Sequence, residues 1–207
     1  MSIDQKPLKT AVLASGRGSN LQALIDAWQS GSLPVNLVAV GSDQSEAQAL
    51  KRAEAAGIPA KAFPLNAYPD QLAQEEDLLA WLHGNEVELL LLAGYMRVLK
   101  ADFIQKAGFP ILNIHPSLLP AFPGLHAQRQ AVEYGVRYSG CTVHFVDEGL
   151  DSGPIILQEV VPVLPGDTED SLAARILEVE HRLYPEAVRL LVGGKLERRG
   201  RQIWVKK

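Results

Sequence analysis

The 207 residues, 47% apolar and 21% charged, suit one soluble globular domain with a core of useful size. A formal net charge of −4 argues against electrostatic binding to nucleic acid, though not against a local basic pocket for a small phosphorylated ligand. Cys141 is the single cysteine, which excludes an intrachain disulfide and a Cys-rich zinc site. The opening MSIDQKPLK lacks the apolar core of a signal peptide, and the most apolar run, Leu89 to Ala93, is too short to span a bilayer. The expectation is a cytoplasmic protein.

Strand-like and helix-like segments alternate from the start. TAVLAS (10–15) reads as a buried strand. NLQALIDAWQS (20–30) has helical spacing at Leu21, Leu24, Ile25 and Trp28, and ends at Gly31. VNLVAV (35–40) is a second strand and SEAQALKRAEAAG (45–57) a second helix closed by glycine. AKAFP (60–64) is a short third strand, 69–83 a helix, and LLLLAGY (89–95) a fourth strand. A short helix near 100–107 leads to the fifth, ILNIH (111–115). This order implies an α/β fold: a Rossmann-like, open, mostly parallel sheet with helices on both faces. CTVHFVD (141–147) and PIILQEVVPV (154–163) follow each other with no helical spacer, so the sheet should become mixed toward the C-terminal half. A long helix is predicted from about Thr168 to Leu191, with Asp167 as its N-cap and Pro185 kinking or interrupting it. The basic KLERRGRQIWVKK should be a peripheral tail.

Polar chemistry breaks this pattern in several places. SGRGSN (15–20) lies between the first strand and the first helix. Its glycines permit a tight turn and close approach to a ligand, and Ser19 and Asn20 are good N-cap residues for a helix start that would favour an anion. Leu21 stands where a dinucleotide fingerprint needs its third glycine, and no Walker A sequence is present. The stretch is either a phosphate cradle for a mononucleotide-like ligand or a plain tight turn. In ILNIHPSLLPAFPG (111–124), Asn113 and His115 differ by two and so share one face of a strand. They stand at its carboxyl end, where open α/β sheets place their ligand crevice. An amide N–H and an imidazole together suit a carbonyl oxygen that becomes an oxyanion.

DEGLDSGPI (147–155) puts Asp147, Glu148 and Asp151 in a Gly-rich turn. It is either a solvated connection or a turn whose carboxylate folds over the crevice to pair with His115. Glu180 falls inside the apolar stripe Leu172, Ile176, Val179, Leu183 and Ala187 and therefore needs a partner, either Arg175 or Arg182 or a ligand hydroxyl or amine. His144 reads as packed at a strand face, and Cys141 as a small core residue. No G-x-S-x-G elbow or H-x-x-x-H spacing occurs, so the nucleophile is expected to belong to a substrate.

Taken together, SGRGSNLQALIDA, LLLAGYMRVL, ILNIHPSLLPAFPGLHAQRQA, TVHFVDEGLDSGPIILQ and EHRLYP resemble the phosphoribosylglycinamide formyltransferases, the folate-dependent GAR transformylases of purine synthesis. NIHPSLLP with a later D-x-G-P-I is shared with the wider formyltransferase superfamily; the SGxGSN start and FPGLH continuation narrow it. Methionyl-tRNA formyltransferases usually carry a different, Arg-containing continuation after SLLP. Formyltetrahydrofolate deformylases usually add an N-terminal regulatory domain. Arg17 fills a variable slot between two glycines, and Ser152 a tolerant one.

The resemblance implies formyl transfer from 10-formyltetrahydrofolate, as cosubstrate, to the amine of glycinamide ribonucleotide (GAR), with no metal. Asn113, His115 and Asp151 match the catalytic residues. Gly18, Ser19, Asn20 and Glu180 match the phosphate- and ribose-binding set, and Met96, Arg97, Val98, Val146, Asp147 and Glu148 the folate pocket. It implies one domain over 1–207: a phosphoribosyl-binding half (8–110), a catalytic and folate-binding half (111–192) and a peripheral tail (193–207). Partners would be these small molecules, with no nucleic acid or membrane, on a monomer or homodimer. Formyltetrahydrofolate hydrolysis at the same site is the rival reading.

Overall fold

The computed structural model describes residues 6–206; the reading of the first five residues as free of a signal sequence lies outside it. A seven-stranded sheet forms the centre, built from β1 (Leu8–Leu13), β2 (Val35–Ser42), β3 (Ala60–Ala62), β4 (Leu89–Leu92), β5 (Ile111–His115), β6 (Tyr138–Phe145) and β7 (Ile155–Pro162). The order is β3-β2-β1-β4-β5-β6-β7. The first five strands run parallel; β6 is antiparallel to β5, and β7 to β6. The expected mixed, Rossmann-like sheet is therefore the fold.

Alternation along the strands sorts their side chains onto two cores. Val12, Leu89, Leu91, Leu112, Ile114, Cys141 and Val143 pack under α1 (Ser19–Gln29), α2 (Gln48–Ala55), α5 (Ala127–Tyr134) and α6 (Glu169–Val192). Ala11, Leu13, Leu90, Leu92 and Ile111 face α3 (Gln71–Gly84) and α4 (Ala101–Ala107). Leu91 alone, fully buried, is worth about 2–3 kcal/mol of apolar transfer. Strand order reverses between β1 and β4, because β2 lies on one side of β1 and β4 on the other. The crevice at such a switch point opens at the carboxyl ends of those strands.

Several boundaries differ from expectation. The fourth strand stops at Leu92 because Gly94, at φ +74°, turns the chain out of the ladder. Thr168, not Asp167, caps α6. Its hydroxyl accepts from the Ser171 N–H (3.2 Å) while the Ser171 hydroxyl accepts from the Thr168 N–H (2.9 Å). Asp167 instead takes two bonds from Arg175, at 2.8 and 2.9 Å. Those bonds, with others from the Leu164 N–H and the Ser171 hydroxyl, hold its carboxyl well below the usual range. Pro185 does not interrupt α6. Proline deletes one N–H bond, and Leu183, Tyr184 and Pro185 are all buried, so packing holds the helix through it.

Besides a single 3-10 turn at Leu65–Ala67, two elements have no counterpart in the sequence reading. One is α5, a short polar helix that buries only Ala127 and Ala131. The other is a hairpin of β8 (Leu196–Arg199) and β9 (Gln202–Val205) in the basic tail.

Tyr184 ties α6 to the sheet. Its hydroxyl lies 3.0 Å from both the Leu92 carbonyl oxygen, at the end of β4, and the Leu112 carbonyl oxygen, near the start of β5. Tyr184→Phe should cost about 1–3 kcal/mol, because it removes a donor from two buried acceptors; chemical denaturation measures it.

Candidate active site

Ile111 packs toward α3 and α4, so the pleat sends Asn113 and His115 to that same face, at the open carboxyl end of β5. The antiparallel partner β6 places His144 opposite Asn113 and Thr142 opposite His115. His115 Nε2 lies 2.8 Å from the Phe122 carbonyl, which can only accept, so Nε2 carries a proton. That leaves Nδ1 facing the Asp151 carboxylate, 3.3 Å from Oδ2. Asn113 Nδ2 lies 3.3 Å from Asp151 Oδ1 and 3.2 Å from His144 Nε2. His144 Nδ1 is 2.8 Å from the Phe145 carbonyl and must donate to it, so its Nε2 is free to accept from Asn113. Burial, partly offset by the Phe145 carbonyl and the charge of Asp151, pushes the His144 pKa down and keeps that ring neutral.

The 147–155 turn is not a solvated connection. Its Asp151 is only 12% exposed, sits at φ +48°, and accepts from the Gly124 N–H at 2.8 Å. Asp147 ties the loop by accepting from Gly149 N (3.1 Å) and the Ser152 hydroxyl (2.6 Å). Gly153 fits because a Cβ there would run into the Phe145 carbonyl oxygen. The turn therefore aims the Asp151 carboxylate back at the imidazole, while Glu148 stays exposed.

At the other side of the crevice, Gly18 occupies the N-cap of α1 at φ +69°, and a Cβ on it would stand 2.8 Å from the Ala49 Cα. Ser19 and Asn20 are thus the first residues of the helix, not its caps, and the helix start has no side-chain cap. Asn20 turns inward and donates through Nδ2 to Glu180 Oε2 at 2.7 Å; its own Oδ1 is buried without a partner. Glu180 is 6% exposed. Burial raises its carboxyl to about 7, with the Asn20 bond pulling the other way. The arginine pairing expected for Glu180 is not made: Arg175 serves Asp167, and Arg182 pairs with Glu159, because both cations point off the stripe that Glu180 shares.

One cavity of about 1140 Å³ joins these groups. Asn20 and Glu180 line it together with Asn113, His115 and Asp151, and so do Met96, Arg97, Val98, Val146 and Asp147. Met96, Val98, Leu125 and Leu150 form an exposed apolar rim. Gly18, Ser19 and Glu148 do not line the cavity; the Glu148 carboxylate accepts from Gln105 on α4. A space of this volume holds two ligands side by side better than one small molecule.

Residues 8–188 match the family model described as formyl transferase. The chain belongs to the formyl transferase family. It is 46% identical over 198 residues, 95% of its length, to the trifunctional purine biosynthetic protein adenosine-3 of Drosophila pseudoobscura pseudoobscura, and covers 14% of that protein. It spans only 14–20% of the trifunctional relatives it matches. It is 42% identical over 185 residues to the phosphoribosylglycinamide formyltransferase of Bacillus subtilis (strain 168), covering 89% of this chain and 95% of that one. The crystal structure of glycinamide ribonucleotide transformylase 1 from Symbiobacterium toebii superposes with a TM-score of 0.95 at 48% identity, over 100% of this chain and 98% of that chain.

In this formyl transferase the sequence reading passed over three contributors. His144, read as a packed strand residue, orients the Asn113 amide. Its position opposite Asn113 follows only from the β5–β6 register. Gln71 and Glu75 on α3 hold the loop after β4: Gln71 Nε2 donates to the Val98 carbonyl at 2.9 Å and to Glu75 Oε1 at 2.8 Å, and Glu75 Oε1 accepts from Lys100 N at 3.2 Å. A buried Glu at helical spacing was the available signal. Burial pushes the Cys141 thiol up to about 12, so it offers no thiolate nucleophile. Among the described residues no group of three or more His, Cys, Asp or Glu is placed to hold a metal, and no helix is long and apolar enough to cross a membrane.

Proposed function

We propose that this chain transfers the formyl group of 10-formyltetrahydrofolate to the amine of glycinamide ribonucleotide, giving formyl-GAR and tetrahydrofolate, in cytoplasmic purine synthesis. The observation that carries the reading is the convergence of Asn113, His115 and Asp151 on one wall of a cavity that also contains Asn20 and Glu180. In this reading the ribonucleotide phosphate sits by the Gly18–Asn20 turn and Glu180 accepts from a ribose hydroxyl or the amine. The folate lies across Met96, Arg97, Val98 and the 146–148 backbone, under the apolar rim.

The neutral amine attacks the formyl carbon, and negative charge grows on the formyl oxygen. His115, as imidazolium with Nε2 held by Phe122, offers its Nδ1–H to that oxygen. Asn113 offers the amide N–H that makes the long 3.3 Å contact to Asp151. Each such donor is worth on the order of 3 kcal/mol in comparable oxyanion sites. The tetrahedral intermediate collapses as the bond from carbon to folate N10 breaks. The amine has lost one proton and N10 has gained one; Asp151, directly or through water, is the base placed to take the first. Holding both reactants in one cavity supplies much of the remaining acceleration.

The test is an assay with 10-formyltetrahydrofolate and GAR, run with and without the amine. Formyl-GAR should appear only with both substrates, and His115→Ala should abolish it. Formate released at the same rate without GAR would instead make the chain a hydrolase.

A further inference from the structure

The cavity has few fixed cations in its lining. From α6 it is lined by Glu169, Asp170, Ala173, Ala174, Leu177 and Glu180, with no cation among them. Arg97, the other guanidinium in the lining, belongs to the loop after β4 and has its Nε buried without a partner; Arg17 is the exposed one.

Arg17 is built as a fixed root with a free end. Its carbonyl accepts from Arg52 Nε at 2.8 Å, the Gly16 carbonyl accepts from Ala49 N at 3.1 Å, and Gly18 is packed against Ala49. The main chain of the turn is therefore clamped to α2 from behind. The Arg17 guanidinium is exposed, lines the cavity, and makes no hydrogen bond or ion pair among the described residues. Beside it, α1 starts with no side-chain cap and no acidic residue in its first turn, and Asn20 of that turn lines the cavity. Asn20, 8% exposed, holds an unpartnered Oδ1 in the same place. That oxygen can only accept, which suits a ribose hydroxyl of the ligand, while the uncapped helix start and the free guanidinium on a braced turn suit the phosphate monoester dianion beside it.

We propose that Arg17 closes over the phosphate of the ribonucleotide as the side-chain cation of that subsite, and so sets the preference for the phosphorylated substrate over its dephosphorylated counterpart. Residue 17 is then a specificity residue, not a neutral filler between two glycines. The proposal rests on the reading that GAR binds with its phosphate at this turn.

Arg17→Gln, exposed and outside the core, should raise the GAR KM about tenfold. Turnover at saturation and the folate KM should stay within about twofold. Inorganic phosphate as a competitor should weaken by a similar factor, and added salt should cost the variant less GAR affinity than the parent. Arg17→Lys should recover part of the loss, since it restores the charge without the fork. Asn20→Ala separates the two layers of the argument. If Asn20→Ala weakens GAR and phosphate while Arg17→Gln changes neither, the role of Arg17 is overturned and the phosphate turn stands. If neither variant moves either constant, the phosphate lies elsewhere and both fall.

Discussion

Asp151→Asn should lower turnover by about three orders of magnitude while GAR affinity stays within about twofold, in line with the usual size of an acid–base contribution. The carboxylate accepts from Asn113 Nδ2 at 3.3 Å and from the Gly124 N–H at 2.8 Å, and faces His115 Nδ1 at 3.3 Å. An amide of the same shape can accept through one atom only. Its NH2 would oppose at least one of those donors and would misalign the pair that faces the formyl oxygen. Single-turnover rates with separate GAR titrations distinguish chemistry from binding, and wild-type turnover in this variant would remove Asp151 from the mechanism.

Glu180→Gln should act on stability and on binding in opposite directions. Burial pushes the folded-state carboxyl up to about 7, from the ordinary 4.5 of a solvated glutamate. Between those pH values the folded protein keeps a proton that the unfolded chain has released, so stability falls as pH rises across the window, and the full deficit is present above pH 7. Glutamine carries no such penalty. The variant should be more stable than the parent by on the order of 2 kcal/mol at pH 8, with little difference at pH 4. GAR affinity should fall about tenfold or more, because an ionised acceptor is lost, while folate binding is unchanged. Urea titrations at the two pH values, with calorimetry for each ligand, read both effects. Equal stability gains at both pH values would show that titration of Glu180 is not their source.

The energetics of this site belong to a stability–function conflict. A carboxylate inside an apolar stripe is costly, and its one protein partner, Asn20, itself leaves an oxygen unpaired.

How much of this was legible in the chain varies with the range of the interaction. The parity of Asn113 and His115, the glycine-braced turn at 16–18 and the oddity of Glu180 within its stripe are local properties, and periodicity exposes them directly. The short helix Ala127–Tyr134 was illegible because its burial rests on two alanines, which carry almost no periodic signal. The cap of the last helix was misplaced by one residue because Thr168 and Asp167 are both good caps. What separates them is the side chain of Arg175, which claims the aspartate.

By itself, then, the sequence determined the alternating α/β architecture, its change to antiparallel strands after β5, and which side chains interrupt an otherwise apolar pattern. Backbone sterics and the helical and strand repeats act over a few residues and need nothing else. Only the tertiary structure decided the partners: Asp151 with His115, Asn113 with His144, Glu180 with Asn20 across 160 positions of chain. Those pairings depend on strand order, register and the closing of long loops, where many arrangements satisfy the local rules equally and close packing of the whole domain selects one.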